Sequence, residues 1–78
     1  MKTDRRRTVQ ETVELIMGLE HADPAARLIE DLGAESADVV NIIAALEDRF
    51  EISVPEEEIP ELHTVADLQD MVEQRGDR

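Results

Sequence analysis

The chain contains a single aromatic side chain, Phe50, and neither tryptophan nor tyrosine. Because β-strands favour aromatic and β-branched residues at every second position, this composition argues against a β-rich architecture. The 78 residues make one domain at most, and a domain this small buries only about 60% of the surface that its unfolded chain exposes. We therefore expect a thin aliphatic core of Leu, Ile, Val, Ala and Met, too small to enclose a deep catalytic cleft.

Several kinds of site and location are excluded by what the sequence lacks. There is no cysteine, so disulfides and thiolate metal ligands are ruled out. No apolar run approaches the roughly 20 residues of a membrane span, and the start MKTDRRRTVQ lacks the apolar stretch of a secretory signal. No window has the spacing of a calcium-binding loop. We expect a cytoplasmic protein with no membrane span and no specific metal site.

The charges are unevenly distributed along the chain. Eight Lys and Arg residues stand against 20 Asp and Glu residues, for a formal net charge of −12. Half of the positive charges lie within residues 1–7, so the rest of the chain is strongly anionic. A nucleic-acid partner would require the opposite sign. The expected partners are proteins with basic patches, attracted in a salt-dependent way; the alternative is that the acids serve solubility alone.

Helical periodicity predicts the secondary structure. Residues 1–7 are expected to be a basic tail, and Thr8 with Glu11 fits a capping box that starts a helix ending near Gly18. Its buried stripe would be Val9, Val13, Ile16 and Leu19. Residues 20–35 are expected to form a long irregular loop, of a kind that is often functional. Its anchors would be Leu28, Ile29 and Leu32.

A second helix is predicted from Ser36 to Phe50. Projection at about 100° per residue separates an apolar core face from an outward face that is small and apolar in the middle and acidic toward its end. The core face comprises Val39, Ile42, Ile43, Leu46 and Phe50; the outward face comprises Ala37, Asn41, Ala44, Asp48 and Glu51, with Val40 and Glu47 at its edge.

Two further elements complete the predicted fold. Glu56 to Ile59 would form a short acidic helix that Pro60 terminates, and Thr64 with Asp67 would cap a last helix. The buried stripe of that helix would be Val65, Leu68, Met71 and Val72. We thus expect an all-α bundle of three main helices and one short helix, forming a single domain over residues 8–75 with a frayed end at 76–78.

Ser36 is the candidate functional residue, because it lies between two acids where the loop becomes a helix. A serine nucleophile needs an adjacent base and a group that orients this base. The two histidines, His21 and His63, belong to no recognisable signature, and no glycine-flanked elbow surrounds Ser36. Autonomous catalysis is therefore rejected, and two roles remain open for Ser36: a helix cap or a modification site.

Three blocks of the sequence, taken together, favour the modification site. LIEDLGAESAD at 28–38, LEDRFEISVPEE at 46–57 and TVADL at 64–68 occur in an order and spacing that resemble the acyl carrier proteins of fatty acid and polyketide synthesis. The likeness covers about residues 27–74, and the first predicted helix fits the family's first helix. The acidic second helix favours an acyl rather than a peptidyl carrier.

The resemblance implies a non-catalytic carrier. Ser36 would receive 4′-phosphopantetheine from coenzyme A, attached by a separate phosphopantetheinyl transferase, and the thiol of this group would carry acyl groups as thioesters. The family shelters the acyl chain between its helices. The corresponding pocket here would be lined by Ile42, Ile43, Leu46, Ile59, Val65 and Leu68.

The resemblance also implies a docking surface for enzymes that transfer or modify acyl groups, with this chain acting as a monomer. The expected docking residues are Glu35, Ala37, Asp38, Val40, Asn41, Ala44, Glu47 and Asp48, flanked by Glu56 and Glu57. The family's Asp-Ser-Leu pattern is replaced here by Glu35-Ser36-Ala37. This departure indicates a specialised carrier, or alternatively a carrier-like acidic module that binds proteins without being modified.

Overall fold

The computed structural model describes residues 2–75, with side chains from Asp4 onward. Its elements are α1 (Lys2–Met17), α2 (Ser36–Phe50), a 3₁₀ helix (Glu56–Glu61) and α3 (Val65–Arg75). Over this range there is no strand, and a single isolated bridge pairs Arg27 with Thr64. The predicted all-α fold of three main helices and one short helix is confirmed. None of the described helices is both long enough and apolar enough to cross a lipid bilayer.

Helix α2 begins and ends where the sequence predicts. Glu35, the residue before it, is extended, and its backbone N–H donates to the Asp38 carboxylate at 2.9 Å. The helix ends at Phe50, and the next residue, Glu51, caps it in a left-handed conformation with a φ of 56°. The predicted core face is buried at Val39, Ile42, Ile43 and Leu46 and partly buried at Phe50. A strong apolar periodicity over fifteen residues accounts for this agreement.

Helix α1 starts earlier than predicted. It begins at Lys2, so the basic tail predicted over residues 1–7 is wrong for residues 2–7, while Met1 lies outside the described residues. The physical reason is a contact with α3. The Arg6 guanidinium donates to Asp70 at 3.0 Å and to Glu73 at 2.8 Å, and Gln69 returns a bond to the Arg6 carbonyl at 2.9 Å. These bonds give the first turns of α1 a partner, and Thr8 lies inside the helix rather than at its start.

The connection from α1 to α2 is the long irregular loop that the sequence predicts. It leaves α1 at Gly18, whose φ of 70° suits glycine. Leu28 is buried as predicted, but Ile29 is 54% exposed, so its predicted role as an anchor is wrong. Leu32 packs against the core as a partly buried side chain, as predicted. Backbone bonds near the start of α3 also hold the loop: Leu28 N–H donates to His63 O at 2.8 Å, and Val65 N–H donates to Ala26 O at 3.2 Å.

The 3₁₀ helix and the cap of α3 connect α2 to the end of the described chain. The 3₁₀ helix runs through Pro60 to Glu61, so its predicted termination at Pro60 is wrong; Leu62 N–H closes the last turn on Ile59 O at 3.0 Å. The predicted cap of α3 is confirmed, because Asp67 N–H donates to the Thr64 hydroxyl at 3.0 Å. The frayed end predicted at 76–78 lies outside the described residues.

Candidate functional site

Ser36 is the first residue of α2, and its side chain is exposed. The preceding turn is made at Gly33, where φ is 75°. The N–H groups of the first turn of a helix lack intrahelical acceptors and carry a partial positive charge. The fold therefore presents the Ser36 hydroxyl to solvent at a helix end that favours an attached anionic group.

An open cavity of about 430 Å³ adjoins Ser36. It lies where the long loop, the first turn of α2 and the 3₁₀ helix meet. Most of its lining is apolar, with polar side chains at Glu30, Ser36 and His63. The apolar lining residues are Leu28, Ile29, Val39, Val40, Ile59, Pro60 and Leu62.

This cavity differs from the acyl pocket that the sequence predicts. Of the six residues predicted to line that pocket, Ile59 lines this cavity. The other five are in the packed core, each no more than 2% exposed: Ile42, Ile43, Leu46, Val65 and Leu68. The resemblance implies a pocket between the helices, but the buried faces of the helices hold residues of the solid core as well as residues of a cavity wall.

The loop residues of the cavity wall could not be placed from periodicity, because the loop has no regular period. Ile29 is one of three large apolar residues in this loop, with Leu28 and Leu32, and the sequence offers no signal that separates the exposed one from the two that pack on the core. Ser36 and His63 both line the cavity. Within the described part of the chain no hydrogen bond joins their side chains, so the structure does not show the contact between a nucleophile and its base.

All the predicted docking residues are at least partly accessible, and most are exposed. The exposed ones are Glu35, Ala37, Val40, Asn41, Ala44, Asp48, Glu56 and Glu57, with Val40 being 50% exposed. Asp38 and Glu47 are partly buried and have structural partners. The Asp38 carboxylate binds the Glu35 N–H, and the Glu47 carboxylate accepts from Val54 N–H at 2.8 Å.

The cap of α3 fixes the position of His63 at the cavity. Burial raises the pKa of the Asp67 carboxyl, but the backbone N–H groups of His63 and Thr64, at 2.9 and 3.0 Å, outweigh burial. The pKa of Asp67 is therefore lowered from its ordinary value. The ionised carboxylate holds the backbone at the point where the 3₁₀ helix leads into α3.

Comparison with known proteins assigns this arrangement to a family. A family model described as "Phosphopantetheine attachment site" matches residues 7–72. The chain is 43% identical over 51 residues to the acyl carrier protein of Campylobacter curvus, covering 65% of this chain and 66% of that protein. It is 42% identical over 55 residues to that of Helicobacter hepaticus, covering 70% and 72%.

The fold is also shared with solved structures. The crystal structure of an acyl carrier protein from Thermotoga maritima superposes with a TM-score of 0.78 at 30% identity, covering 95% of this chain and 88% of that chain. The sequence alignments, by contrast, span about two thirds of the length of the curated relatives.

Proposed function

The chain belongs to the acyl carrier protein family, and on that basis we propose that Ser36 receives the family's covalent prosthetic group, 4′-phosphopantetheine, from coenzyme A. Members of this family are non-catalytic carriers, modified and used by other enzymes. The observation that carries the proposal is the place of Ser36, exposed at the first residue of α2 and beside an apolar cavity.

The residues around Ser36 fit the group. A phosphodiester at this position would lie against the free N–H groups of the first turn of α2, which favour an anion. The Asp38 carboxylate is held on the Glu35 N–H, which stabilises the turn that presents the serine. When attached, the group supplies a terminal thiol that holds an acyl group as a thioester.

The cavity beside Ser36 supports a role in sheltering the acyl group. Its apolar side chains come from the loop (Leu28, Ile29), α2 (Val39, Val40) and the 3₁₀ helix (Ile59). An acyl chain placed there would lose contact with water, and each buried methylene would contribute about 0.8 kcal/mol. We therefore propose this cavity, rather than the space predicted around Ile42 and Leu46, as the acyl site.

The exposed acidic residues of α2 are proposed to dock partner enzymes through basic patches. The partners include the phosphopantetheinyl transferase and acyl-handling enzymes of fatty acid, polyketide or related specialised pathways. Electrostatic docking of this kind gives rapid, salt-sensitive association more than tight affinity. We propose that the chain presents this surface as a monomer.

The attachment site is tested by mass spectrometry. The purified apo protein is incubated with coenzyme A and each of several phosphopantetheinyl transferases, and we expect the mass to rise by one phosphopantetheine group. The chain has one other serine, Ser53, which is also exposed. Ser36→Ala should abolish the mass gain and Ser53→Ala should not. No gain with any transferase, and none in protein isolated from its native cells, would favour the unmodified docking module instead.

A further inference from the structure

The 3₁₀ helix forms one wall of the cavity beside Ser36 and is only lightly packed on the core. None of its six residues is buried, and Ile59 contacts the core only as a partly buried side chain. Its C-terminal end is tied down, because His63 N–H, two residues beyond Glu61, donates to Asp67 at 2.9 Å. Val54, two residues before the helix, is buried, but none of the first three residues of the helix is, so polar contacts help to fix the N-terminal half of the helix itself.

Two side chains supply such contacts: Glu47 of α2 accepts from Val54 N–H at 2.8 Å, before the 3₁₀ helix, and Arg75 of α3 contacts the helix itself. One guanidinium nitrogen, Nη1, donates to the Ser53 carbonyl at 2.8 Å, and the other, Nη2, pairs with the Glu58 carboxylate. The Arg75 and Glu58 side chains are 31% and 39% exposed, so this pair is partly shielded from solvent. Arg75 therefore holds both the segment that leads into the 3₁₀ helix and the helix itself.

We propose that Arg75 is a positioning residue that holds the 3₁₀ helix against α3 and thereby sets the width of the cavity beside Ser36. Glu58 and Ile59 are neighbours in the chain, and Glu58 pairs with α3 while Ile59 lines the cavity. A displacement at Glu58 therefore moves the cavity wall. A planar guanidinium that makes two bonds fixes orientation as well as distance, which a single ammonium does less well.

The consequence for function rests on the proposed attachment at Ser36 and shelter of the acyl group in this cavity. With Arg75 in place, the 3₁₀ helix closes over the cavity. Without it, the middle of the helix at Glu58 moves outward between its two fixed points, Val54 and His63, and the cavity widens. Arg75 lies on α3, so its loss should alter the cavity and leave the docking residues of α2 in place, whereas the flanking Glu56 and Glu57 belong to the 3₁₀ helix and move with it.

The test measures amide hydrogen exchange on the unmodified protein, so it does not depend on whether Ser36 is modified. In Arg75→Gln and in Glu58→Gln we expect exchange of the Glu58 amide, which donates to Pro55 O at 3.0 Å, to rise by about three- to ten-fold. Exchange of the Leu28 amide, on the opposite wall of the cavity, should not change. The matched control is Arg49→Gln, which removes the same charge from the last turn of α2.

Two outcomes would overturn the proposal. If the Glu58 and Leu28 amides accelerate by the same factor in Arg75→Gln, the residue stabilises the whole fold and does not position one wall. If neither amide changes, the contact has no positioning effect. A second measurement uses protein carrying an octanoyl group: cleavage of the thioester by hydroxylamine should be faster in Arg75→Gln than in Arg49→Gln, and equal rates would also contradict the proposal.

Discussion

At the scale of single residues, Asp38 combines two roles. Its carboxylate accepts the backbone N–H of Glu35 at 2.9 Å, so it fixes the turn that presents Ser36. It also belongs to the acidic surface proposed for docking. A side-chain acceptor at a helix start typically contributes about 1 kcal/mol, whereas a charge at the rim of an interface acts mainly on the association rate. The two roles can therefore be separated by substitution.

We predict different effects for two substitutions of Asp38. Asp38→Asn keeps an oxygen acceptor for Glu35, so its free energy of unfolding in urea should stay within about 0.5 kcal/mol of the parent, while its association rate with a transferase falls. Asp38→Ala loses the acceptor as well and should be destabilised by about 1 kcal/mol. Equal stability of all three proteins would show that the bond to Glu35 contributes nothing.

A second prediction at this scale concerns Asp67 and pH. Because the pKa of Asp67 is lowered in the folded protein, its ionised form stabilises the fold above the unfolded-state pKa, and this contribution is lost as the pH falls through the folded-state value. Asp67→Asn keeps an oxygen acceptor but loses the charge that two backbone N–H groups contact, so at pH 7 it should destabilise the protein by about 1 kcal/mol. The difference in unfolding free energy should shrink on acidification. A difference that stays constant with pH would contradict the assigned role of the charge.

At the scale of elements, α1 is joined to α3 by charge as well as by packing. Val9 and Val13 are fully buried, but the N-terminal turns of α1 are held by Arg6, which contacts Asp70 and Glu73. Arg6, one of the basic residues within residues 1–7, therefore has a structural role. Its positive charge offsets part of the negative charge of Asp70 and Glu73 on α3.

Removal of Arg6 should loosen the start of α1. We expect Arg6→Ala to lower the free energy of unfolding by about 1 kcal/mol and to reduce helicity in circular dichroism by part of the first turns. Arg7 is exposed and carries the same charge one position along, so Arg7→Ala is the control and should have a smaller effect. If both variants behave alike, the contribution of Arg6 is one of net charge and not of its contacts with α3.

The elements also show what sequence reasoning can and cannot establish. The bounds of α2 follow from a strong apolar period and from the loop residues before it, and the cap of α3 follows from Thr64 and Asp67 alone. The start of α1 depends on contacts of Arg6 with Asp70 and Glu73, more than sixty positions away. A local sequence pattern cannot predict such contacts. The cavity wall at Ile29 depends on the path of an irregular loop. Ser36 could be identified as the candidate site because its neighbourhood carries a family pattern.

At the scale of the whole molecule, the excess of negative charge is the dominant electrostatic feature. Arg6, Arg27 and Arg75 are each paired with carboxylates, yet eight basic residues cannot neutralise 20 acidic ones. The Cα radius of gyration is 11.2 Å. The size of the molecule is therefore comparable to the Debye length, which is about 10 Å at 0.1 M salt. Carboxylates across the molecule therefore repel one another at low salt, and folding brings them closer together.

Raising the ionic strength should consequently stabilise the fold. If screening raises the free energy of unfolding by about 1 kcal/mol, the melting temperature of a domain of this size should rise by roughly 4–8 °C. We predict such a rise between about 10 and 150 mM KCl, measured by circular dichroism at pH 7. MgCl₂ at matched ionic strength separates two causes: an equal rise indicates screening, whereas a larger rise indicates Mg²⁺ binding to carboxylates such as those at Glu56 and Glu57. KCl screens charges without being chelated by carboxylates. If the melting temperature does not change with KCl, the ion pairs of the fold already offset the repulsion between carboxylates. The repulsion inferred from the net charge would then be wrong.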